Sequence, residues 1–243
     1  MKLARARTPD GVVTGTYEDG ILKTDSEVYE LDPQTDLLAP VRPSTLYCVG
    51  RNYAATIDQM NYERPSEPDF FIKPSVSTHP PETPIPYPTF STEVTYAGEL
   101  AAVVDKRAKN VEKDRVDDIL CGYTIMNDVD ALDQPGRTAR KAFDSSGPLG
   151  PWIETDLEPV GLEMHTTING EERQRSNTEL MLFKPREFIS YLSARLTLQA
   201  GDVIAFGSPA NPGLIEPGDE IEITYDGIGT LRNTVVESEH PDR

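Results

Sequence analysis

Leu100, Ala101, Ala102, Val103 and Val104 form an unbroken apolar run directly behind Glu99. A run this short fits a strand buried on both faces better than a helix. The stretch Thr95 to Val104 therefore predicts a β-strand carrying one inward carboxylate, and a Glu at its mouth calls for a chemical reason. A second buried strand is predicted from Cys121 to Val129, with Asn127-Asp128 at its end. Lys141-Ala142-Phe143-Asp144 then leads into Gly147-Pro148-Leu149-Gly150-Pro151-Trp152, where Trp152 reads as core. A carboxylate from each strand with a Lys close by suits a hard cation and an anionic ligand.

The pattern elsewhere is also mostly β. Residues 1–42 show short alternating segments split by Pro9-Asp10-Gly11, Glu18-Asp19-Gly20 and Asp32-Pro33, which predicts a small meander of three or four strands. Pro40 and Pro43 mark the passage to residues 43–243, read as the larger, catalytic-type region. There Leu46 to Val49 and Phe70 to Ile72 read as strands, and residues 51–60 as a short helix stopped by Pro65. The prolines between Pro74 and Pro88 predict an extended surface loop without helix or central strand. Leu162, Met164, Thr166 and Ile168 alternate up to a hairpin turn at Asn169-Gly170. Pro185 opens the clearest helix, with Phe188, Ile189, Leu192 and Leu196 on one face. Turns at Gly201-Asp202 and Gly218-Asp219 deliver the last strands. The fold class expected is mainly β with a few short helices.

Composition narrows the function. The 243 residues suit one sizeable domain able to bury a core. Cys48 and Cys121 each sit in an apolar run and read as buried thiols rather than a disulfide, which fits a reducing, cytoplasmic setting. No apolar run approaches the ~18 residues of a membrane span, and no signal peptide is visible. With 41 acidic against 23 basic residues the net charge is -18, which argues against nucleic acid as a partner. The acid is spread through turns and helix faces, as in proteins of salt-loving organisms whose self-repulsion is screened by salt.

Seven motifs, in order, then resemble the fumarylacetoacetate hydrolase family: Cys48-Val49-Gly50-Arg51-Asn52-Tyr53, Tyr96 to Ala101, Gly122 to Val129, Lys141 to Asp144, Pro148 to Trp152, Gly201 to Ile204 and Gly227 to Asn233. The resemblance covers nearly the whole chain. It implies a mixed β-sandwich roll with a small N-terminal β region, a homodimer, and Mg²⁺ or Mn²⁺ held by carboxylates. It further implies a small 2-oxo or 1,3-dicarbonyl acid as substrate, processed through a metal-stabilised enolate. Carried over residue by residue, Glu99 and Asp128 match metal ligands and Lys141 the catalytic Lys. Arg51, Tyr53, Lys73 and Ser208 are candidates for meeting the substrate.

Several positions depart from the family pattern. Ala97 replaces a metal-binding Glu, Thr56 and Gln59 replace the lid His and Glu that activate water, and Leu132 replaces an Arg. Thr56 and Gln59 accept no proton at neutral pH, and Asp58 lies on a different helix face from theirs. Asp130, two residues beyond Asp128 on an extended strand, is read either as a substitute ligand or base, or as a turn cap. His79, His165 and His240 are scattered, with no zinc pattern. Two main readings follow. One is a lyase, decarboxylase or isomerase that needs no activated water; the other is a catalytically silent homologue that binds a metabolite or partner. Acylpyruvate hydrolysis ranks third.

Overall fold

The structure is a computed structural model that describes residues 1–59, 61–210 and 212–238; His240 and Met60 lie outside the described residues. It is mainly β. The buried strand predicted around Leu100 is Gly98–Val104, every residue of which is buried. It pairs antiparallel with Leu120–Asn127 on one side and Val203–Ala205 on the other. Its two faces feed two separate cores, which explains why the apolar run does not alternate. Leu100, Ala102 and Val104 join the larger core, with Ile125, Phe188, Leu192, Phe206 and Ile223. Ala101 and Val103 join Leu46, Cys48, Met126 and Leu149 on the opposite side.

The large sheet continues through Thr45–Gly50 to Asp69–Pro74, and in the other direction through Gly147–Glu154. It curls onto itself. The chain leaving Asp69–Pro74 makes a single 3₁₀ turn, Ser75–Ser77, and Thr78–His79 then pairs in parallel with Gly147–Glu154. A five-stranded sheet, built on Glu163–Ile168, Glu171–Asn177, Glu220–Tyr225 and Gly229–Val236, contributes Met164, Ile223, Tyr225 and Leu231 to the larger core. The N-terminal strands Lys2–Thr8, Gly11–Glu18, Ile21–Lys23 and Val28–Glu30 form the predicted meander, and Lys2–Thr8 is hydrogen-bonded to Gly147–Glu154 within the same large sheet.

The predicted helix is Pro185–Arg195, with Phe188, Ile189 and Leu192 buried; Leu196 falls at its C-terminal cap instead of on its face. The proline-rich stretch departs from expectation. Besides the 3₁₀ turn it supplies two short strands, Thr78–His79 and Ile85–Pro86, because prolines are tolerated at the ends of pairings where no N–H is required. His79 is accordingly buried, with Nε2 3.2 Å from the Thr83 carbonyl, rather than at the surface. Trp152 is only half-buried, stacked on Tyr17 with its Nε1 donating to the Ile228 carbonyl. Both cysteines are free, Cys48 buried and Cys121 partly so. No described helix is long and apolar enough to cross a membrane.

Candidate active site

Glu99 lies on the same face of its strand as Ala101 and Val103, so it points into the mouth of the curled sheet. Its strand partner across the ladder is Met126, and Gly98 faces Asn127, which sets Asp128 just past the end of the neighbouring strand. Two hydrogen bonds hold these ends together: Asp128 N–H donates to the Ala97 carbonyl at 2.9 Å, and the Asn127 side chain accepts from Ala97 N–H at 3.1 Å. Both carboxylates are buried.

Lys73 comes from Asp69–Pro74, three strands away from Gly98–Val104, and reaches Asp128 only because the sheet curls. Its ammonium donates to Asp128 Oδ1 at 2.6 Å and to the Val129 carbonyl at 2.9 Å. Sequence reasoning treats an isolated Lys as solvated unless something calls it inward; here Lys73 has 0% side-chain exposure, and the call comes from a carboxylate 55 residues away. Lys141 donates to the other oxygen of Asp128, Oδ2, and lies 3.1 Å from Asp130. Asp130 is neither a turn cap nor free for a metal. It sits in a two-residue strand paired with Val94–Thr95, and Arg140 grips its carboxylate with Nε at 2.8 Å and Nη2 at 2.5 Å.

Electrostatics follow from these partners. Burial raises the Glu99 carboxyl, and the neighbouring Asp128 charge raises it further, to about 8. Asp128 is held below the ordinary carboxylate range despite burial, because the Lys141 and Lys73 ammonium groups stabilise its charge. Burial lowers Lys73, with Asp128 opposing. Lys141 is raised against burial by Asp128 and Asp130. Glu99 Oε2 accepts from Gly207 N–H at 2.9 Å. That close approach depends on glycine: Gly207 has φ +82°, and a Cβ there would lie 3.0 Å from Asn52 Cβ and 3.1 Å from the Val49 carbonyl oxygen.

These groups floor a cleft of about 510 Å³. Arg51, Thr56, Ala97, Glu99, Asp128, Asp130, Lys141 and Ser208 line it, whereas Tyr53 and Lys73 are buried behind it. The Tyr53 phenol oxygen has no hydrogen-bond partner, and burial together with the Glu99 charge pushes its pKa up. Ser208 is fixed by Gln174, which donates to its Oγ at 3.0 Å and to the Pro209 carbonyl at 2.9 Å. The Thr56 hydroxyl donates to the Ser208 carbonyl at 3.0 Å; Gln59 and Asp58 are exposed on the short helix Ala54–Gln59. His79 and His165 do not line the cleft.

Sequence reasoning overlooked Arg137 and Arg140, which share the cleft wall with Arg51. The signal was present: Arg137, Arg140 and Lys141 stand at i, i+3 and i+4 of the helix Gly136–Lys141 and so face one way. Arg137 and Arg51 both hold Asp69, whose carboxyl is lowered to about 2, chiefly by the Arg137 hydrogen bonds. Of the charged residues lining the cleft, four are cations and three are carboxylates, and Glu99 carries its proton at neutral pH. In a chain of net charge -18 this is a positive island.

The divalent cation implied by the family resemblance can be tested against this donor set. Ala97 offers no donor, both Asp128 oxygens already accept from ammonium groups, and Asp130 is taken by Arg140. Among the described residues no three His, Cys, Asp or Glu side chains come together as a metal-binding set. Glu99 alone keeps an oxygen free, and a single carboxyl raised to about 8 does not hold Mg²⁺ or Mn²⁺ when Lys and Arg cations occupy Asp128 and Asp130; the residues present do not fit a protein-held ion.

Comparison with known proteins adds to the geometry. Residues 45–236 match the family model described as fumarylacetoacetate (FAA) hydrolase C-terminal. The chain is 39% identical to the solved structure of a 5-carboxymethyl-2-hydroxymuconate delta-isomerase from Mycobacterium smegmatis, covering 99% of this chain and 100% of that one at a TM-score of 0.90. It is 28% identical to a fumarylacetoacetate hydrolase from Exiguobacterium antarcticum, covering 98% and 100%, with a TM-score of 0.86. The mitochondrial oxaloacetate tautomerase of Rattus norvegicus is 34% identical over 84% of this chain and 70% of its own length.

Proposed function

The chain belongs to the fumarylacetoacetate hydrolase family, and from that premise we propose that it is an enzyme moving a proton beside the carbonyl of a small 2-oxo or 1,3-dicarbonyl acid, as a tautomerase or isomerase. The observation that carries this reading is the pairing of a buried carboxyl poised near neutrality with a clamped ammonium in one cleft. Glu99, raised to about 8, is ionised in a minority of molecules at neutral pH; that carboxylate takes the C–H proton and, once protonated, returns it to the enolate, near the pKa at which a general acid–base group is most effective. Its Oε1 accepts no hydrogen bond among the described residues and is available to substrate. Lys141 stays charged and stabilises the enolate oxygen that forms when the neighbouring C–H is lost. Arg51, Arg137 and Arg140 suit the substrate's carboxylates.

No step here runs through Mg²⁺ or Mn²⁺, since the chain's own cations occupy Asp128 and Asp130 and leave only the Glu99 carboxyl. Nor does any step need activated water, which accords with Thr56 and Gln59 at the lid. The isomerase and tautomerase names among the relatives point the same way. A homodimer, as the family resemblance implies, is part of the proposal and is checked by sedimentation.

The test is solvent exchange: oxaloacetate in D₂O with the protein in molar KCl, the C3 hydrogens followed by proton NMR, with Mg²⁺ and again with chelator. Accelerated exchange in both conditions is expected, falling about 10²- to 10⁴-fold in Lys141→Met. A second reading, a catalytically silent metabolite-binding homologue, is favoured by the neutralised carboxylates Asp128 and Asp130. It prevails if oxalate binds the cleft but no exchange is seen at any pH.

A further inference from the structure

A second cationic pocket lies away from the cleft, between the N-terminal strands and the 3₁₀ turn that follows Lys73. It measures about 260 Å³, and its lining includes Arg5, Arg42, Ser75 and Thr78 but no Asp or Glu. This is unusual in a chain with 41 acidic residues. Elsewhere Arg51, Arg115, Arg137, Arg140, Arg186 and Arg232 each reach a carboxylate. Among the described residues Arg5 and Arg42 reach none, nor do Arg7, Arg64 and Arg107; what sets Arg5 and Arg42 apart is that they line one pocket. Arg5 is anchored by one bond, Nη1 to the Ala39 carbonyl at 2.7 Å, which leaves the rest of its fork unused. Its pKa is depressed by burial and then by the Arg42 charge, so the two guanidinium groups stand close enough to repel. Thr78 adds an independent sign: its Oγ1 is buried and has no hydrogen-bond partner. Leaving a buried hydroxyl unpaired and two like charges side by side both cost stability unless a ligand answers them.

We infer that this pocket binds a small tetrahedral oxyanion, a phosphate or the phosphoryl end of a small metabolite. Two guanidinium forks and two hydroxyls, those of Ser75 and Thr78, offer the many divergent donors that a tetrahedral oxyanion accepts, more than a single carboxylate uses. The volume of about 260 Å³ holds such a group with its waters. Phosphate bound here would sit beside the turn two to four residues beyond Lys73, on the outer end of the segment that delivers Lys73 to Asp128.

The experiment is calorimetric titration of inorganic phosphate, and separately glycerol 3-phosphate and acetate, into the full chain at low and at molar KCl. Arg42→Gln and Thr78→Val serve as variants, and oxalate as an independent probe of the cleft. Saturable phosphate binding is expected, with acetate weaker, about 10-fold or more lost in Arg42→Gln, a smaller loss in Thr78→Val, and oxalate binding unchanged in both. Phosphate binding over glycerol 3-phosphate identifies the free ion as the source, and the reverse identifies a metabolite. The inference is overturned if phosphate does not saturate, if oxalate displaces it, or if Arg42→Gln leaves it unchanged. Dissociation of a dimer in Arg42→Gln without any phosphate effect also overturns it and assigns the pocket to carboxylates of a second copy.

Discussion

On the floor of the cleft each oxygen of Asp128 meets an ammonium group and Asp130 takes a two-pronged guanidinium, whereas at the rim Thr56, Gln59 and Leu132 carry no charge at all. The reason for the contrast is solvation. A charge buried on the floor must be partnered or replaced together with its partner, because an uncompensated buried ion is strongly destabilising. A residue at the rim stays in contact with water, so exchanging it costs folding little. In the proposed reading, the proton-holding groups are thus tied to packing, while water activation would rest on side chains that the fold does not require. Loss of the second without loss of the first is what that difference permits.

The largest effect that sharpens this contrast is on stability. Lys73→Met removes one of the two cations on Asp128 and leaves the Val129 carbonyl without its donor, at a fully buried side chain. We expect a loss of about 3–5 kcal/mol in urea unfolding. Arg51→Ala breaks an ion pair with Asp69 whose side chains are 34% and 26% exposed, and we expect about 1 kcal/mol or less. Equal losses in the two variants would erase the distinction between the buried floor and the water-exposed parts of the cleft.

A smaller effect concerns pH. Glu99 ionises near its ordinary 4.5 in the unfolded chain and only at about 8 in the folded one. Between those values the folded state binds more protons, so this residue makes folding less favourable as pH rises, by at most about 1.4 kcal/mol per pH unit. Asp128 acts with the opposite sign: its folded pKa is depressed, and its contribution is present above about pH 4 and lost as pH falls through the folded value. Glu99→Gln keeps an acceptor for Gly207 N–H and removes only the first dependence. Its unfolding free energy should therefore match the parent near pH 4 and exceed it at pH 8. Parallel profiles for the two proteins would show that Glu99 is not held neutral by its surroundings.

Much of the floor was legible in the sequence, because a Glu at the mouth of an apolar run and an Asp at the end of the next buried strand are local signals, and the family motifs are contiguous. Lys73 was not, since its burial depends on an ion pair formed only once the sheet curls. The cluster of Arg137, Arg140 and Lys141 was readable from its i, i+3, i+4 spacing, but the helix has just six residues and no apolar face to announce it. Asp130 was ambiguous for a related reason: its meaning rests on Arg140, ten residues on and in a different element. The proline-rich stretch misled because proline forbids central pairing and says nothing about edges, where Thr78–His79 and Ile85–Pro86 pair.

The smallest expected effect bears on the rim itself. Thr56→His with Gln59→Glu restores a base and its orienting carboxylate on one face of the Ala54–Gln59 helix, at the cost of the Thr56 bond to the Ser208 carbonyl. If floor and rim are separable, solvent exchange into a 2-oxo acid should change by less than about two-fold, because Glu99 and Lys141 are untouched. Acylpyruvate cleavage should rise over that of the parent by up to the ~10²-fold that a positioned base supplies at the low end of its range. Cleavage that does not rise while exchange persists would mean that the Lys and Arg cations stabilise an enolate but not the tetrahedral intermediate of hydrolysis. A fall in exchange together with the new His would instead tie the rim to the floor, through the Ser208 loop that Thr56 and Gln174 both hold.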